Sequence, residues 1–451
     1  MTGEERIRLF ENIPVTEAVR RQVVPAVISQ MIALIYNLAD TYFVGLLNAP
    51  AETAAVTVAY APFLMLTAIA NLFGVGGAGA LSRALGKHDD YAAGKISSLS
   101  FWLGLVFAAT YSFLILLLSL PVLRFAGATE ETIHAAQGYV FWVIVIGGVP
   151  SALSVLLANL VRAEGNAKAA SFGVSLGGIL NILLDPFLIL PQFFELGAAG
   201  AGLATAASNF VSMVYLLRFI RRKQNHSVIQ LSVKRIQGSK EHLRTILSIG
   251  VPSAFQYALT VVAVAAQAKF VSQYPTQAVA ALGITKKLDQ LPLYFSIGVS
   301  SGLLPLLAYH HSAGNQIRRR DSFRIGVSIS FAFSIFCLIL YEAAAPQLSS
   351  LFIQDATTVT YAASFLRRMV VAMPMMSICY PMIIQFQAMK RMKESLVCSV
   401  LRKGVLDIPL LFLMDSLVPL LGLMWVQPIV DAVSLLVCFA FYRNLKNHDL
   451  A

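Results

Sequence analysis

Apolar residues arrive in this chain as blocks long enough to cross a membrane, and that fact limits what it can fold into. Between Val23 and Leu47 the only strongly polar side chains, hydroxyls aside, are Gln30, Asn37 and Asp40. A helix needs about 20 apolar residues to span a hydrocarbon core about 30 Å thick. A barrel strand needs only about 10, with alternating polarity, and these blocks do not alternate. Composition agrees: 57% of residues are hydrophobic and 13% charged, where a soluble domain carries about 25% charged residues. The same figures exclude disorder, which needs low hydrophobicity.

The blocks divide into twelve expected spans: 20–47, 54–83, 96–123, 133–160, 167–191, 197–221, 243–272, 278–310, 320–343, 357–388, 394–417 and 420–444. The basic residues test this division, because Lys and Arg collect in cytoplasmic loops. With both termini inside, the inner segments hold 26 of the 34 basic residues. The outer loops hold only Arg124, with Arg367 and Arg368 at an outer helix end. The net charge of +11 follows from that asymmetry and requires no nucleic acid. The first apolar block is too long for the core of a cleavable signal peptide, about 7–15 residues. Cys337, Cys379, Cys398 and Cys438 all fall inside spans without a CxxC pair, so neither zinc nor a redox couple is indicated.

The chain reads as two copies of one plan. The polar stretch 222–242 separates an N-terminal lobe, 1–221, from a C-terminal lobe, 243–451. Pro25 matches Pro252; fifteen residues further on, Asp40 matches Gln267, and Phe43 matches Phe270. GVGGAGALSRALG (74–86) parallels GVSSGLLPLLAYH (298–310). Six spans per copy give both the same orientation, a parallel repeat about an axis along the membrane normal, as in many transporters. The expected fold is therefore all-α and integral to the membrane: twelve transmembrane helices in two pseudo-symmetric six-helix lobes.

Soluble-enzyme patterns do occur, but in the wrong setting. GVGGAG (74–79) fits GxGxxG without a preceding strand. GVSLG (173–177) and GVSSG (298–302) fit GxSxG without the strand–turn–helix that exposes a nucleophile. Small residues at this spacing let membrane helices approach closely. No Walker A motif is present, so energy is expected from an ion gradient rather than ATP, and no cofactor is expected.

Ionisable residues inside spans are informative, because a charge at a helix centre costs roughly 2.5–3.5 kcal/mol on insertion scales. Asp40 lies roughly 28 Å along its helix from Arg21, and Asp185 roughly 26 Å along its own from Lys168, at about 1.5 Å per residue. The two carboxylates thus share a depth. Tyr36 and Asn37 precede Asp40 by four and three residues, and Asn181 precedes Asp185 by four, so each acid has polar company on its own face. Tyr139 and Thr205 enter from the outer ends of spans four and six. The second copy is basic instead. Lys269, Lys286, Lys287, Arg402 and Lys403 stand against Asp289 and Asp407, which leaves three cations without an obvious partner. Lys286 and Asp289 are spaced to pair on one face. Internal pairing or snorkelling is one reading of this group; a cavity wall for anionic or zwitterionic substrates is the other.

YNLADTYFVG (36–45), LSRALGKHD (81–89), RAEGNAKAA (162–170) and NILLDP (181–186) resemble the motifs of the multidrug and toxic compound extrusion (MATE) transporters, in the prokaryotic branch with an N-lobe carboxylate pair. The resemblance implies two lobes forming a V, with entry of H⁺ or Na⁺ driving export of amphipathic organic compounds. It implies a cation-coupling site of Asp40, Asn181, Asp185 and Thr205; Asp40 and Asp185 would ligate the ion if it is Na⁺. Tyr36, Asn37, Tyr139 and Asn159 would line the substrate cavity, joined from the second lobe by Lys286 and Asp289. Another branch places a cation-binding acid early in span seven, but 252–270 carries only Gln256 and Gln267 there, which favours coupling through the first lobe. The expected setting is a prokaryotic plasma (inner) membrane, with a functional monomer whose partners are lipid and small molecules. A lipid-linked saccharide flippase would need more cations along the groove. A membrane enzyme would need metal ligands or a nucleophile with its base.

Overall fold

The computed structural model describes residues 2–47, 49–223, 226–236 and 240–448; side chains 446–448 and that of Pro50 are not among them. The first half of the chain supplies α1 (Val15–Gly45), α2 (Pro50–Gly86), α3 (Asp90–Phe125), α4 (Ile133–Ile146 with Gly148–Ala163), α5 (Ala167–Ile189) and α6 (Gly197–Arg222). The second half supplies α7 (Lys240–Val271), α8 (Thr276–Ser312), α9 (Gln316–Ser350), α10 (Ala356–Ala388), α11 (Met392–Leu417, broken) and α12 (Val426–His448). The described residues contain no strand. Among the described residues ten helices are long and apolar enough to cross a membrane unbroken, and α4 makes an eleventh across a 50° bend. The chain is an all-α, multi-pass membrane protein, and its spans follow the apolar blocks.

Two spans depart from straight helices. In α4 the bend falls at Gly147, whose N–H donates to Trp142 O at 2.8 Å across a widened turn. A side chain at Gly147 would meet Ala206 of α6 at 2.8 Å, so the bend admits the neighbouring helix. In α11 the helix stops at Val400, and Lys403 and Gly404 leave helical geometry, with Gly404 at φ +119°. Glycine reaches that region without steric cost. The Gly404 N–H donates to Asp407 Oδ2 at 2.7 Å, which restarts the helix.

The two sets of six helices meet along a seam of backbone contacts. α2 packs on α7 and α1 on α8, in the part of the bundle nearest the chain termini. A side chain at Gly76 would stand 2.5 Å from Ile246 O, and one at Gly250 would run into the Leu72 carbonyl. On the other pair, a side chain at Gly298 would lie 2.7 Å from Val27 Cα, and one at Gly302 2.6 Å from Val23 Cα. The GVGGAG and GVSSG runs are thus contact faces, as small residues in membrane helices permit.

The first residues, which mix acids and bases in the sequence, fold across this seam. A short helix, Gly3–Ile7, carries a capping box between Thr2 and Glu5. Arg6 makes a two-pronged bond to Asp90 of α3 at 2.8 and 3.0 Å. Phe10 is fully buried and stacks on Tyr309 of α8 at 4.5 Å. Tyr309 also donates to Glu11, and Arg318 of α9 donates to Ile13 O at 2.7 Å. The linker 222–242 is likewise docked where described: Glu164 accepts from Val228 N at 2.9 Å and Ser227 Oγ at 3.0 Å, and Trp102 donates to Leu231 O at 3.0 Å. Its residues 224–225 and 237–239 lie outside the described residues.

The seam makes a stability prediction. Gly302→Val should lower the thermal midpoint of the purified protein, since overpacking a tight contact costs about 1–3 kcal/mol. Gly283→Val, where nothing lies within 4 Å of the added carbon, should leave it unchanged. Equal midpoints for the two variants would contradict the seam.

Candidate functional site

The site starts on α1, whose own hydrogen bonds hold its polar face together. Asn37 Nδ2 donates to Ala33 O at 2.7 Å, and Thr41 Oγ1 to Asn37 O at 3.0 Å. Asp40 follows one turn on and is buried. α5 lies along α1 because Gly178 is small: a side chain there would meet Ile32 at 2.8 Å and Tyr36 at 3.1 Å. That approach brings Asp185, fully buried, beside Asp40. Thr205 enters from α6 and accepts from Asn181 Nδ2 at 3.4 Å. Asp40 has Asp185, Thr205 and Asn181 as its polar neighbours, and Tyr36 and Tyr139 stand close by.

Despite this company, Asp40 Oδ1, both oxygens of Asp185 and Asn181 Oδ1 make no hydrogen bond of proper geometry. Buried polar atoms are nearly always paired. Four unpaired oxygens from three side chains, two of them acids, form a place for a proton shared between carboxyls or for a small hard cation held by oxygen. Among the described residues no cluster of three or more His, Cys, Asp or Glu side chains fits a metal ion; here the donors are two acids, an amide and a hydroxyl.

A cavity of about 310 Å³ opens between the two sets of helices. Tyr36, Asn37, Asn181 and Thr205 are in its wall, as is Asn159, whose side chain donates to Val155 O at 3.0 Å. Asp40, Asp185 and Tyr139 are not; the carboxyls stand one side chain behind the surface, behind Asn181, Thr205 and Tyr36. The second half faces them with Gln256, Tyr257, Tyr294, Tyr380 and Gln387. The sequence reading passed over these aromatics, although a tyrosine inside an apolar block is a signal for a wet surface. It also passed over Arg162, the one charged residue in the wall among the described residues, buried at the end of α4 with its Nη1 on Asn159 Oδ1 at 3.2 Å.

Lys286 and Asp289 are not in the cavity wall, and no ion pair within 4.0 Å joins them, contrary to both expectations. They neighbour a separate polar group built around the break in α11. Arg402, almost fully buried, pairs with Asp431 of α12 at 2.9 Å and lies over the Tyr380 ring at 4.2 Å. Lys403 donates to Gln427 Oε1 at 2.6 Å, and Gln427 Nε2 to Asp431 Oδ2 at 2.9 Å. Lys286, Arg402 and Lys403 thus face Asp289, Asp407 and Asp431, three charges of each sign. Counting Asp431 of span twelve lowers the expected surplus from three cations to two, and these two, the exposed Lys269 and the half-buried Lys287, stand outside the group. Lys269 is exposed at the end of α7. All four cysteines are buried and free.

A bundle of membrane-crossing helices around a central cavity, with acids held just behind its wall, is the build of a solute transporter. The MatE family profile matches this chain twice, over residues 25–187 and 252–413, and the chain belongs to that family of membrane transporters; it is a transporter and not an enzyme. The two matches begin at the two prolines, Pro25 and Pro252, that head the internal repeat. Among curated relatives it is similar to the multidrug export protein MepA of Staphylococcus saprophyticus, 26% identical over 444 residues covering 98% of this chain and 97% of the relative. MepA of Staphylococcus aureus is 27% identical over the same shares. Among solved structures, one described as the outward-facing conformation of a multidrug resistance MATE family transporter superposes with a TM-score of 0.91 at 22% identity, covering 100% of this chain and 99% of the other. A second, MATE in the bent conformation, gives 0.88 at 22% identity with full cover of both chains.

Removing one partner of a buried ion pair is expected to cost about 3–5 kcal/mol, because the other charge is left alone. Arg402→Ala should therefore lower the thermal midpoint strongly. Arg402→Met with Asp431→Leu should recover most of the loss. A double variant no more stable than Arg402→Ala would show that the pair is not the cause.

Proposed function

We propose that this protein is a secondary active exporter of amphipathic organic compounds, exchanging them for protons, with Asp40 and Asp185 as the coupling pair. The observation that carries the reading is the set of unpaired buried oxygens on those two acids, one side chain away from a cavity. A coupling ion can shift a two-state equilibrium only if it binds the two states differently. A proton removes a charge from the pair, and a protonated carboxyl gains a donor that can bond its neighbour, so the surroundings formed by Asn181 and Thr205 must then rearrange. Na⁺ would need the same oxygens as ligands. Protons are favoured because α7 lacks the acid that a Na⁺ site in the second half would use.

Several features support the wider picture. The two profile matches and the repeat support lobes 1–221 and 243–451 that rock against each other, joined by the 222–242 linker. The basic loops support placing both termini in the cytoplasm of a prokaryotic cell, with the protein in its inner membrane. On that orientation the glycine seam and the N-terminal segment close the cytoplasmic end, and the cavity belongs to an outward-open state. The wall of tyrosines and side-chain amides suits flat amphipathic molecules, since rings stack and amides adapt as donors or acceptors. A saccharide carried on a lipid diphosphate would call for several cations, and this wall has only Arg162. The cavity and the carboxyl pair both lie within one chain, which supports a functional monomer.

Two measurements test the reading. Asp40→Asn should fold and insert normally yet reduce gradient-driven export of a lipophilic cation to the protein-free background; wild-type rates at matched expression would overturn the role of Asp40. In proteoliposomes an imposed pH gradient without Na⁺ should drive export by the wild type. If only a Na⁺ gradient does so, the coupling ion is Na⁺.

A further inference from the structure

The end of the bundle that carries the termini has a second cavity, of about 470 Å³, lined by the cations Lys240, Arg244 and Lys390 and by Leu243, Leu247 and Met392. It lies between the start of α7, which gives Lys240, Leu243, Arg244 and Leu247 on one helical face, and the turn from α10 to α11, which gives Lys390 and Met392, so each side carries both charged and apolar groups. Among the described residues none of its three cations has an ion-pair partner within 4.0 Å. The neighbouring Arg391 differs, since it bonds Glu394 at 3.3 Å. The turn itself is specific. Lys390 takes a left-handed φ of +62°, with its N–H on Gln387 O at 3.0 Å and that of Arg391 on Phe386 O at 2.8 Å. A lysine in that region carries a steric cost that glycine would avoid.

Cations of the first lobe stand against the same place. Arg83, from the end of α2, donates to Ala388 O at 2.9 Å, across the seam. Arg83, Arg244 and Lys87 crowd Lys390, which lies outside the spans; burial first, and then these like charges, push its ammonium below the ordinary lysine value. Glu241 is the one acid among these neighbours. Five cations against one carboxylate is an unbalanced group, unlike the three-against-three group around Arg402. Cations interleaved with apolar side chains, at the level where helices leave the hydrocarbon, complement a phospholipid, which has an anionic head and an apolar chain.

We propose that this cavity binds the phosphate headgroup of an anionic phospholipid, with its acyl chain along Leu243, Leu247 and Met392. The bound head sits where second-half cations meet Arg83 and Lys87 of the first lobe. It therefore holds together groups that opening of the seam would separate, and it favours the closed seam. The lipid is thereby a ligand of one conformational state, which by linkage shifts the balance toward that state. The proposal rests on the orientation given above, which puts this end in the leaflet rich in anionic lipid.

The test uses purified full-length protein and needs no transport assay, so its failure is separable from failure of the export reading. Native mass spectrometry would count lipids retained from mixed phosphatidylcholine–phosphatidylglycerol micelles, and thermal midpoints would be read in nanodiscs of phosphatidylcholine with and without phosphatidylglycerol. The wild type should retain phosphatidylglycerol selectively and gain stability from it. Lys240→Gln/Arg244→Gln/Lys390→Gln should weaken retention by about a hundredfold, and Lys390→Gln alone by about fivefold, as expected for basic groups near an anionic headgroup. These side chains are exposed, so the variants should match the wild type in phosphatidylcholine alone. Arg221→Gln/Arg222→Gln, basic but distant in sequence, should retain the lipid. Equal retention of both lipids by the wild type would overturn the proposal. So would unchanged retention in the triple variant. Stabilisation by inorganic phosphate equal to that by phosphatidylglycerol would assign the cavity to a free anion instead.

Discussion

The cost of leaving an ion in hydrocarbon organises this molecule. Each charge inside the spans must be matched, brought to water or kept unmatched for a purpose. Arg402 and Asp431 are the matched case, buried together with Tyr380 and Gln427 around them. Lys269 is the case brought to the surface at the end of α7. Asp40 and Asp185 are the third case. They are buried side by side, two acids with hydroxyl and amide neighbours and no cation, and their oxygens lack full hydrogen bonds. No packing argument favours such a pair over two leucines. On the proposed cycle it is the group whose occupancy changes as the protein works.

The pair also has a mechanical connection to the rest of the fold. Asp40 lies on α1, and the same helix forms the seam with α8 through Gln22, Val23 and Val27. Thirteen residues separate Val27 from Asp40, roughly 20 Å of helix at about 1.5 Å per residue. Pro25 sits inside that helix, where it removes one backbone hydrogen bond and eases bending. A rearrangement at Asp40 thus acts on a helix that can flex, and its far end closes the bundle. α5 does not reach the seam in the same way; it supplies Asp185 and carries Asn181 in the cavity wall.

Much of this was legible in the sequence because it depends on short-range pattern. Span lengths follow from apolar runs, and the shared depth of Asp40 and Asp185 follows from helical rise and a basic residue at each inner end. Tyr36, Asn37 and Asn181 follow from spacing on one helical face. What escaped depends on contacts between spans. The partner of Arg402 is Asp431, in the next span, and summing charges over spans seven, eight and eleven missed it. Lys286 belongs to that same group rather than to the cavity, because the break at Gly404 turns the end of α11 toward α12. A glycine after two basic residues was the available sign of that break. The docking of Leu9 and Phe10 was hidden because a short apolar pair among charges looks like any surface segment. Only the position of Tyr309 and the Arg6–Asp90 bond reveals what it covers.

That N-terminal segment bears on how the two states are balanced. On the proposed cycle, opening the cytoplasmic end must undo the Phe10–Tyr309 stack, the Tyr309–Glu11 bond and the Arg318–Ile13 bond. A ring stack contributes about 0.5–1.5 kcal/mol beyond its buried area, and an ordinary hydrogen bond about 0.5–1.5 kcal/mol net. The contacts sum to a few kcal/mol, the same order as the roughly 5.5 kcal/mol of differential binding needed to reverse a population from 1:99 to 99:1. A seam tied much more tightly would lie beyond the reach of one proton and one substrate. A seam held by glycine contacts alone would leave the closed state weakly favoured. On the proposed cycle the segment therefore biases the resting balance toward the closed cytoplasmic end while keeping it within range of the ligands that reverse it.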